Sequence, residues 1–65
     1  MKIIVNAVPH EVTSRIMSVA LSELGFTSNA MATALNGRFI PNMARETTAL
    51  TEGDKLEILA PMQGG

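Results

Sequence analysis

The residues of this 65-residue chain with the clearest chemical potential are its last five, Pro61-Met62-Gln63-Gly64-Gly65, which end in a glycine carboxylate. Glycine has no Cβ, so a Gly64-Gly65 end is the thinnest tail a peptide can present, able to lie extended in a slot that excludes every other residue. Pro61 fixes its own φ near the polyproline value and disfavours helix for Ala60, so the chain is expected to leave its folded body extended. At about 3.3–3.6 Å per residue the five residues reach roughly 17 Å, far enough for the carboxylate to enter another protein's active site while the body stays outside. Terminal residues are often small and polar without chemical purpose. The reading therefore has to be supported by the rest of the chain.

Other chemistries lack their parts. An independent enzyme needs a nucleophile with a base, paired carboxylates, or metal ligands. His10 is the sole histidine and there is no cysteine, so a serine–histidine device would rest on one strand residue without a visible partner. Glu52 and Asp54 flank Gly53, where acidic residues serve turns. Asn36-Gly37-Arg38 lacks the glycine spacing and the lysine of a phosphate loop. Met17 and Met31 read as core filler, and Met62 falls in the tail itself.

Composition narrows the partners. The formal net charge is −1, and the five basic residues (Lys2, Arg15, Arg38, Arg45, Lys55) are scattered rather than gathered in a stripe. With Phe26 and Phe39 as the only aromatic residues, no stacking platform for nucleic acid is expected. The apolar run Ile3-Ile4-Val5 is too short for a signal-peptide core or a membrane span, so a soluble cytoplasmic protein is expected, without nucleic acid, membrane or metal partners. Without cysteines there is neither a disulfide nor a thiolate metal site. Hydrophobic residues make up 46% of the chain and aromatic ones 3%, so a single core has to be built from Ile, Leu, Val, Met and Ala. A 65-residue chain makes one domain with little to spare for a deep pocket.

The elements that position the tail can be read in order. Lys2 to Asn6 is β-branched at three successive positions and predicts a strand, Asn6 to Pro9 a turn, and His10 to Thr13 a return strand. Thr13 or Ser14 offers a hydroxyl cap for a helix from Arg15 to Leu24, and Gly25 stands where a left-handed C′ residue is wanted. Met17, Ala20, Leu21 and Leu24 form its apolar stripe, with Ile16 and Val19 to one side. Met31, Thr33 and Leu35 share one side of an alternating segment from Ala30 to Leu35. Asn36-Gly37 is the strongest hairpin dipeptide in the chain, Arg38-Phe39-Ile40 pairs back, and Pro41 ends that strand. Residues Asn42 to Thr51 show no clear period and read as a long connection with a helical turn and a short strand near Thr48-Ala49-Leu50. After the Glu52-Gly53-Asp54 turn, Lys55 to Ala60 alternates as a half-buried strand. Because a helix crosses between the two halves, the first and last strands are expected to pair in parallel, with the last strand central and the tail emerging from it.

Leu35-Asn36-Gly37 followed by Ile40-Pro41, Glu52-Gly53-Asp54 before an alternating strand, and a terminal Gly64-Gly65 together resemble the ThiS family of thiamine-pathway sulfur carriers. The resemblance runs over essentially the whole chain. It implies an α+β, ubiquitin-like β-grasp fold, a mixed four- to five-stranded sheet packed on one main helix, with residues 1–60 forming the domain and 61–65 an extended diglycine tail. It also implies a carrier rather than an enzyme. The Gly65 carboxylate would be adenylated by a ubiquitin-activating-type adenylyltransferase that uses ATP, converted to a thiocarboxylate, and would give its sulfur to thiazole synthase. No cofactor would be bound by the carrier itself. Gly64 would be the required thin neighbour, and Gln63, Met62 and Pro61 would thread into the partner's active site. The sheet face opposite the helix would dock the activating enzyme.

Pro61 shortly before the diglycine is also similar to the small subunit of molybdopterin synthase, a sister carrier, although those chains are usually longer and richer in aromatics. Other readings are a carrier serving cysteine synthesis or transfer-RNA thiolation, a protein-conjugating modifier, and a non-catalytic β-grasp interaction module whose tail is inert. Deleting Gly65 separates the last of these from the carriers.

Overall fold

The computed structural model describes residues 1–28 and 30–59. Five strands, β1 (Lys2–Val5), β2 (Val8–Glu11), β3 (Ala32–Leu35), β4 (Arg38–Ile40) and β5 (Lys55–Leu59), form one sheet in the order β2-β1-β5-β3-β4. The helix α1 (Met17–Glu23) lies between the two hairpins in sequence. As expected, β1 and β5 pair in parallel, through Ile4 with Lys55 and Val5 with Leu56, and β5 is central, flanked on its other side by antiparallel β3.

The first hairpin is tighter than expected. Val8 and Pro9 belong to β2 and not to the turn, which consists of Asn6 and Ala7 alone, both at positive φ (48° and 69°). These are the signs of a type I′ turn, whose twist matches the strands it joins. Pro9 is tolerated in β2 because it faces Ile4 on an edge strand, and the Ile4 N–H is turned the other way, donating to Asp54 O at 2.9 Å. With Val5 and Val8 closing the two-residue turn, the Ile4–Pro9 pair is of the non-hydrogen-bonded kind, so the missing proline N–H would have pointed away from β1. The second hairpin turns at Asn36-Gly37 as expected, again with both φ values positive (51° and 86°).

Helix α1 begins two residues later than the pattern suggested. Ile16 is the N-cap, in extended conformation and without a side-chain cap. Ile16 stays extended because the chain pairs there with the returning segment: Ile16 bridges Ala49, and Leu50 N donates to Arg15 O. The expected strand near Thr48-Ala49-Leu50 amounts to this one bridge. Two N–H groups at the helix start are satisfied by backbone, Met17 N donating to Thr48 O and Ser18 N to Arg45 O. Thr13 and Ser14, expected as caps, are held by Glu23 at the far end of the helix, whose carboxylate accepts from Thr13 N, Thr13 Oγ1 and Ser14 N at 2.8–2.9 Å. The C-terminal expectation holds: Gly25 has φ +90°, its N–H reaches Ser22 O, and the Phe26 N–H reaches Leu21 O. That pair of bonds is a Schellman motif, and it turns Phe26 back onto the core.

The core lies between α1 and one face of the sheet. Ile3 and Val5 of β1, Leu56 and Ile58 of β5 and Ile40 of β4 point into it, and Met17, Ala20 and Leu21 of α1 cover them. Met17 and Met31 are buried, as their reading as core filler requires. Val19 and Ile16 are 48% and 37% exposed, which places them on the solvent flank of the helix. Between β4 and β5 the chain makes a 3-10 turn, Asn42–Ala44, before Arg45.

Arg45 is 5% exposed and forms no ion pair with a carboxylate among the described residues. Neutral acceptors hold it instead. Nε donates to Thr33 Oγ1 at 3.0 Å, Nη1 to Asn42 Oδ1 at 3.1 Å, and Nη2 to Met31 O at 2.6 Å. The Thr33 hydroxyl in turn donates to Ile40 O at 2.9 Å. One guanidinium thus ties the irregular 42–51 segment to the start of β3, while the Arg45 carbonyl receives the first turn of α1.

Candidate functional site

The residues expected to carry the chemistry, Pro61, Met62, Gln63, Gly64 and Gly65, lie outside the described residues. What the structure places is the base they leave from. β5 is bonded on both sides and runs through the middle of the sheet toward the tail, ending at Leu59.

Its grip is reinforced by the two turn asparagines. Asn6 Oδ1 accepts from Ile58 N at 2.9 Å and Asn6 Nδ2 donates to Ile58 O at 3.2 Å, so a side-chain amide continues the β1 ladder one rung beyond the strand's own backbone. On the other flank Asn36 Oδ1 accepts from Lys55 N at 2.9 Å, and Asn36 N donates to Lys55 O. Each asparagine therefore serves the positive φ of its turn and the backbone of β5 at once.

The acidic residues of the 52–54 turn are structural. Glu52 Oε1 accepts from Lys2 N. The Asp54 carboxylate accepts from Thr51 N, Thr51 Oγ1 and Asn36 Nδ2. Burial works to raise the Asp54 pKa, and the bonds from Thr51 and Asn36 outweigh it, leaving the group below the ordinary carboxylate range. The Glu23 carboxyl is lowered as well, first by the Thr13 backbone N–H, then by the Thr13 hydroxyl and the Ser14 N–H. His10 stands on the edge strand β2 across from Ile3, and no hydrogen bond among the described residues joins it to a hydroxyl or carboxylate. The described residues contain no group of three or more His, Cys, Asp or Glu arranged to hold a metal ion, and no helix long and apolar enough to cross a membrane.

The sheet face turned away from α1 carries a feature that sequence reading left unassigned. Directly paired residues share a face, so Phe39 on β4, Ala34 on β3 and Glu57 on β5 form a row across the sheet, with Ala32 and Leu59 as the next pair toward the tail. Phe39 and Leu59 are 66% and 73% exposed. Around the two alanines they leave a hollow of about 210 Å³, bounded on its far side by Glu57 and Asn6. The signal was present: Leu59 stands at a polar position of the β5 alternation, and Phe39 sits out of phase with the buried Ile40. Which residues stood beside them depended on pairings across three strands.

The ThiS family model matches residues 3–65. The chain belongs to the ThiS family. A solved structure of the thiamine biosynthesis protein ThiS from Geobacter metallireducens is similar to it, with a TM-score of 0.78 at 28% identity, and the likeness covers 100% of both chains. Among curated proteins none matches. The five-stranded mixed sheet with its single main helix is the β-grasp fold of that ThiS neighbour, so the fold class expected from the motifs stands, with five strands rather than four.

Proposed function

We propose that this chain is a sulfur carrier of thiamine biosynthesis, in which the Gly65 carboxylate is the group that is charged. The observation that carries the reading is the ThiS-family match, which includes every residue of the 61–65 tail. The full-length likeness to a thiamine biosynthesis protein supports the pathway.

A carboxylate is a poor electrophile, because its negative charge is shared over both oxygens and its leaving group would be oxide. Activation solves this in two steps. A ubiquitin-activating-type adenylyltransferase joins the Gly65 carboxylate to the α-phosphorus of ATP, releasing pyrophosphate. Hydrosulfide then attacks the acyl carbon and AMP departs, and loss of the sulfur's proton leaves a thiocarboxylate. Sulfur passes from there to thiazole synthase as the thiazole ring is made. The carrier supplies no acid, base or metal to these steps. Its part is to offer the acyl group on a thin tail, Pro61 to Gly64, from a strand held rigidly at the centre of the sheet, while the exposed face around Phe39 and Leu59 docks the activating enzyme.

The test is the intact mass of the chain after incubation with an adenylating partner, ATP and a sulfide source. A gain of roughly 16 Da, sulfur replacing oxygen, that disappears on deletion of Gly65 is the expected result. An unchanged mass, with an enzyme that charges a control carrier, would reject the carrier reading in favour of an interaction module with an inert tail.

A further inference from the structure

The hollow beneath Phe39 and Leu59 contains one polar side chain with nothing to do. Asn6, on its rim, has both amide atoms committed to the Ile58 backbone. The Thr33 hydroxyl is turned inward to Ile40 O and Arg45. Glu57 is exposed and makes neither a hydrogen bond nor an ion pair among the described residues. Lys55, two residues along the same face, does not close on it. A carboxylate therefore stands at one wall of a recess whose other polar side chains are already paired, with a floor of Ala32 and Ala34 and walls of Phe39 and Leu59.

Resting on the docking role proposed above, we infer that the partner surface that covers this face is apolar but carries one basic side chain, inserted into the hollow to pair with Glu57. Three features of this face point to a cation. An apolar partner alone would bury Glu57 without a counter-charge, which is costly. The opposite wall is an aromatic face. Strands lie about 4.7–4.9 Å apart, so Phe39 and Glu57, two strands apart across Ala34, stand roughly 10 Å from each other at their Cα atoms. A guanidinium between them can stack on the ring and pair with the carboxylate. The floor is made of the two smallest side chains of β3, and about 210 Å³ equals roughly seven waters at ~30 Å³ each, room for one long side chain.

The experiment is calorimetric titration of the chain into the adenylating enzyme of the mass assay, without ATP, using the full chain and the chain lacking Gly65. Glu57→Lys is expected to raise Kd by about ten-fold or more, and Glu57→Gln by several-fold. Wild-type Kd is expected to rise between 50 and 500 mM NaCl, and the Glu57→Gln variant to lose most of that rise. Phe39→Leu, which keeps an apolar wall and removes the ring, is expected to weaken wild type more than it weakens Glu57→Gln, because one partner side chain touches both. Glu57 and Phe39 are surface strand residues, and unchanged melting of the variants confirms that folding is not the cause. The inference is overturned if Glu57→Lys binds with wild-type Kd, if the salt dependence survives in Glu57→Gln, or if the enzyme does not bind the wild-type chain. Binding that behaves as expected without the mass gain would reject the carrier chemistry and leave the docking surface standing.

Discussion

Replacing Arg45 by Met tests whether one buried cation organises the irregular half of the molecule. Met keeps the unbranched stem and so most of the packing. It removes the donors to Met31 O, Thr33 Oγ1 and Asn42 Oδ1. The gross loss is three charge-assisted bonds at about 1.5–3 kcal/mol each, but the desolvation cost of the guanidinium, several kcal/mol, disappears with it. The net therefore depends on what is left behind. Asn42 is exposed and can turn to water, and Thr33 still donates to Ile40 O. The bond at Met31 O is buried, and losing its donor costs about 1–3 kcal/mol. With the loosened 42–51 segment added, the variant should lose about 2–3 kcal/mol, or roughly 10–20 °C in melting temperature for a domain of this size. Arg45→Lys should do no better, because an ammonium cannot reach three acceptors in a fork and, being more strongly hydrated than a guanidinium, costs more to bury. Thermal melts by circular dichroism and urea titration, with the urea slope unchanged, read the effect. A Met variant within about 0.5 kcal/mol of wild type, or a Lys variant with full stability, would refute the assignment of Arg45 as the tie between the 42–51 segment and β3.

Gly37→Ala isolates backbone strain, since φ at Gly37 is +86° and a Cβ there meets nothing within 4 Å. About 1–2 kcal/mol of destabilisation is expected, with the sheet register unchanged by NMR; a neutral substitution would refute the type I′ turn as a requirement. Acid titration tests the Glu23 clamp on Thr13 and Ser14. Because the folded pKa of Glu23 is depressed, its contribution is complete above the ordinary carboxylate pKa and is lost as pH falls through the folded value. Melting temperatures of wild type and Glu23→Gln should therefore differ at pH 7 and converge toward pH 2, and a gap independent of pH would remove the carboxylate from the explanation.

The parts legible in the sequence were those governed by local chemistry. Asn36-Gly37 announced its turn because two successive positive φ values admit few residue pairs. Gly25 announced the helix end, and the Lys55–Leu59 alternation announced a strand with one buried face. Asn6-Ala7 makes the same kind of turn, yet the sequence points only to a longer turn from Asn6 to Pro9, since alanine at φ 69° has no local signature and only the pairing of Val5 with Val8 requires it. The helix start lies later than the sequence suggests because Thr13 and Ser14 have the right side chains for a cap, whereas the Thr13 hydroxyl donates to Glu23, the Ser14 hydroxyl accepts from Ile16 N, and the first helix N–H groups go to carbonyls of the 45–48 segment. In the sequence Arg45 is one of five scattered basic residues, and nothing in its neighbours in sequence indicates that Thr33 and Met31 enclose it. The hollow around Phe39 and Leu59 could not be read from the sequence, because its floor and walls come from three strands assembled by long-range pairing.

The placement of β5 also has a mechanical consequence. In the proposed carrier role, a tail inserted into one enzyme and later withdrawn for another would be pulled along the direction of β5. β5 is joined laterally to β1 and β3 at once, with Asn6 and Asn36 adding side-chain bonds at its two ends. Tension on the tail therefore loads these bonds together in shear instead of peeling them one at a time, and the strand resists as a unit. Had the tail grown from β4 or β2, at the sheet edge, the same pull would be borne by one neighbouring strand instead of two. The topology lets the tail be handled while the body keeps its shape.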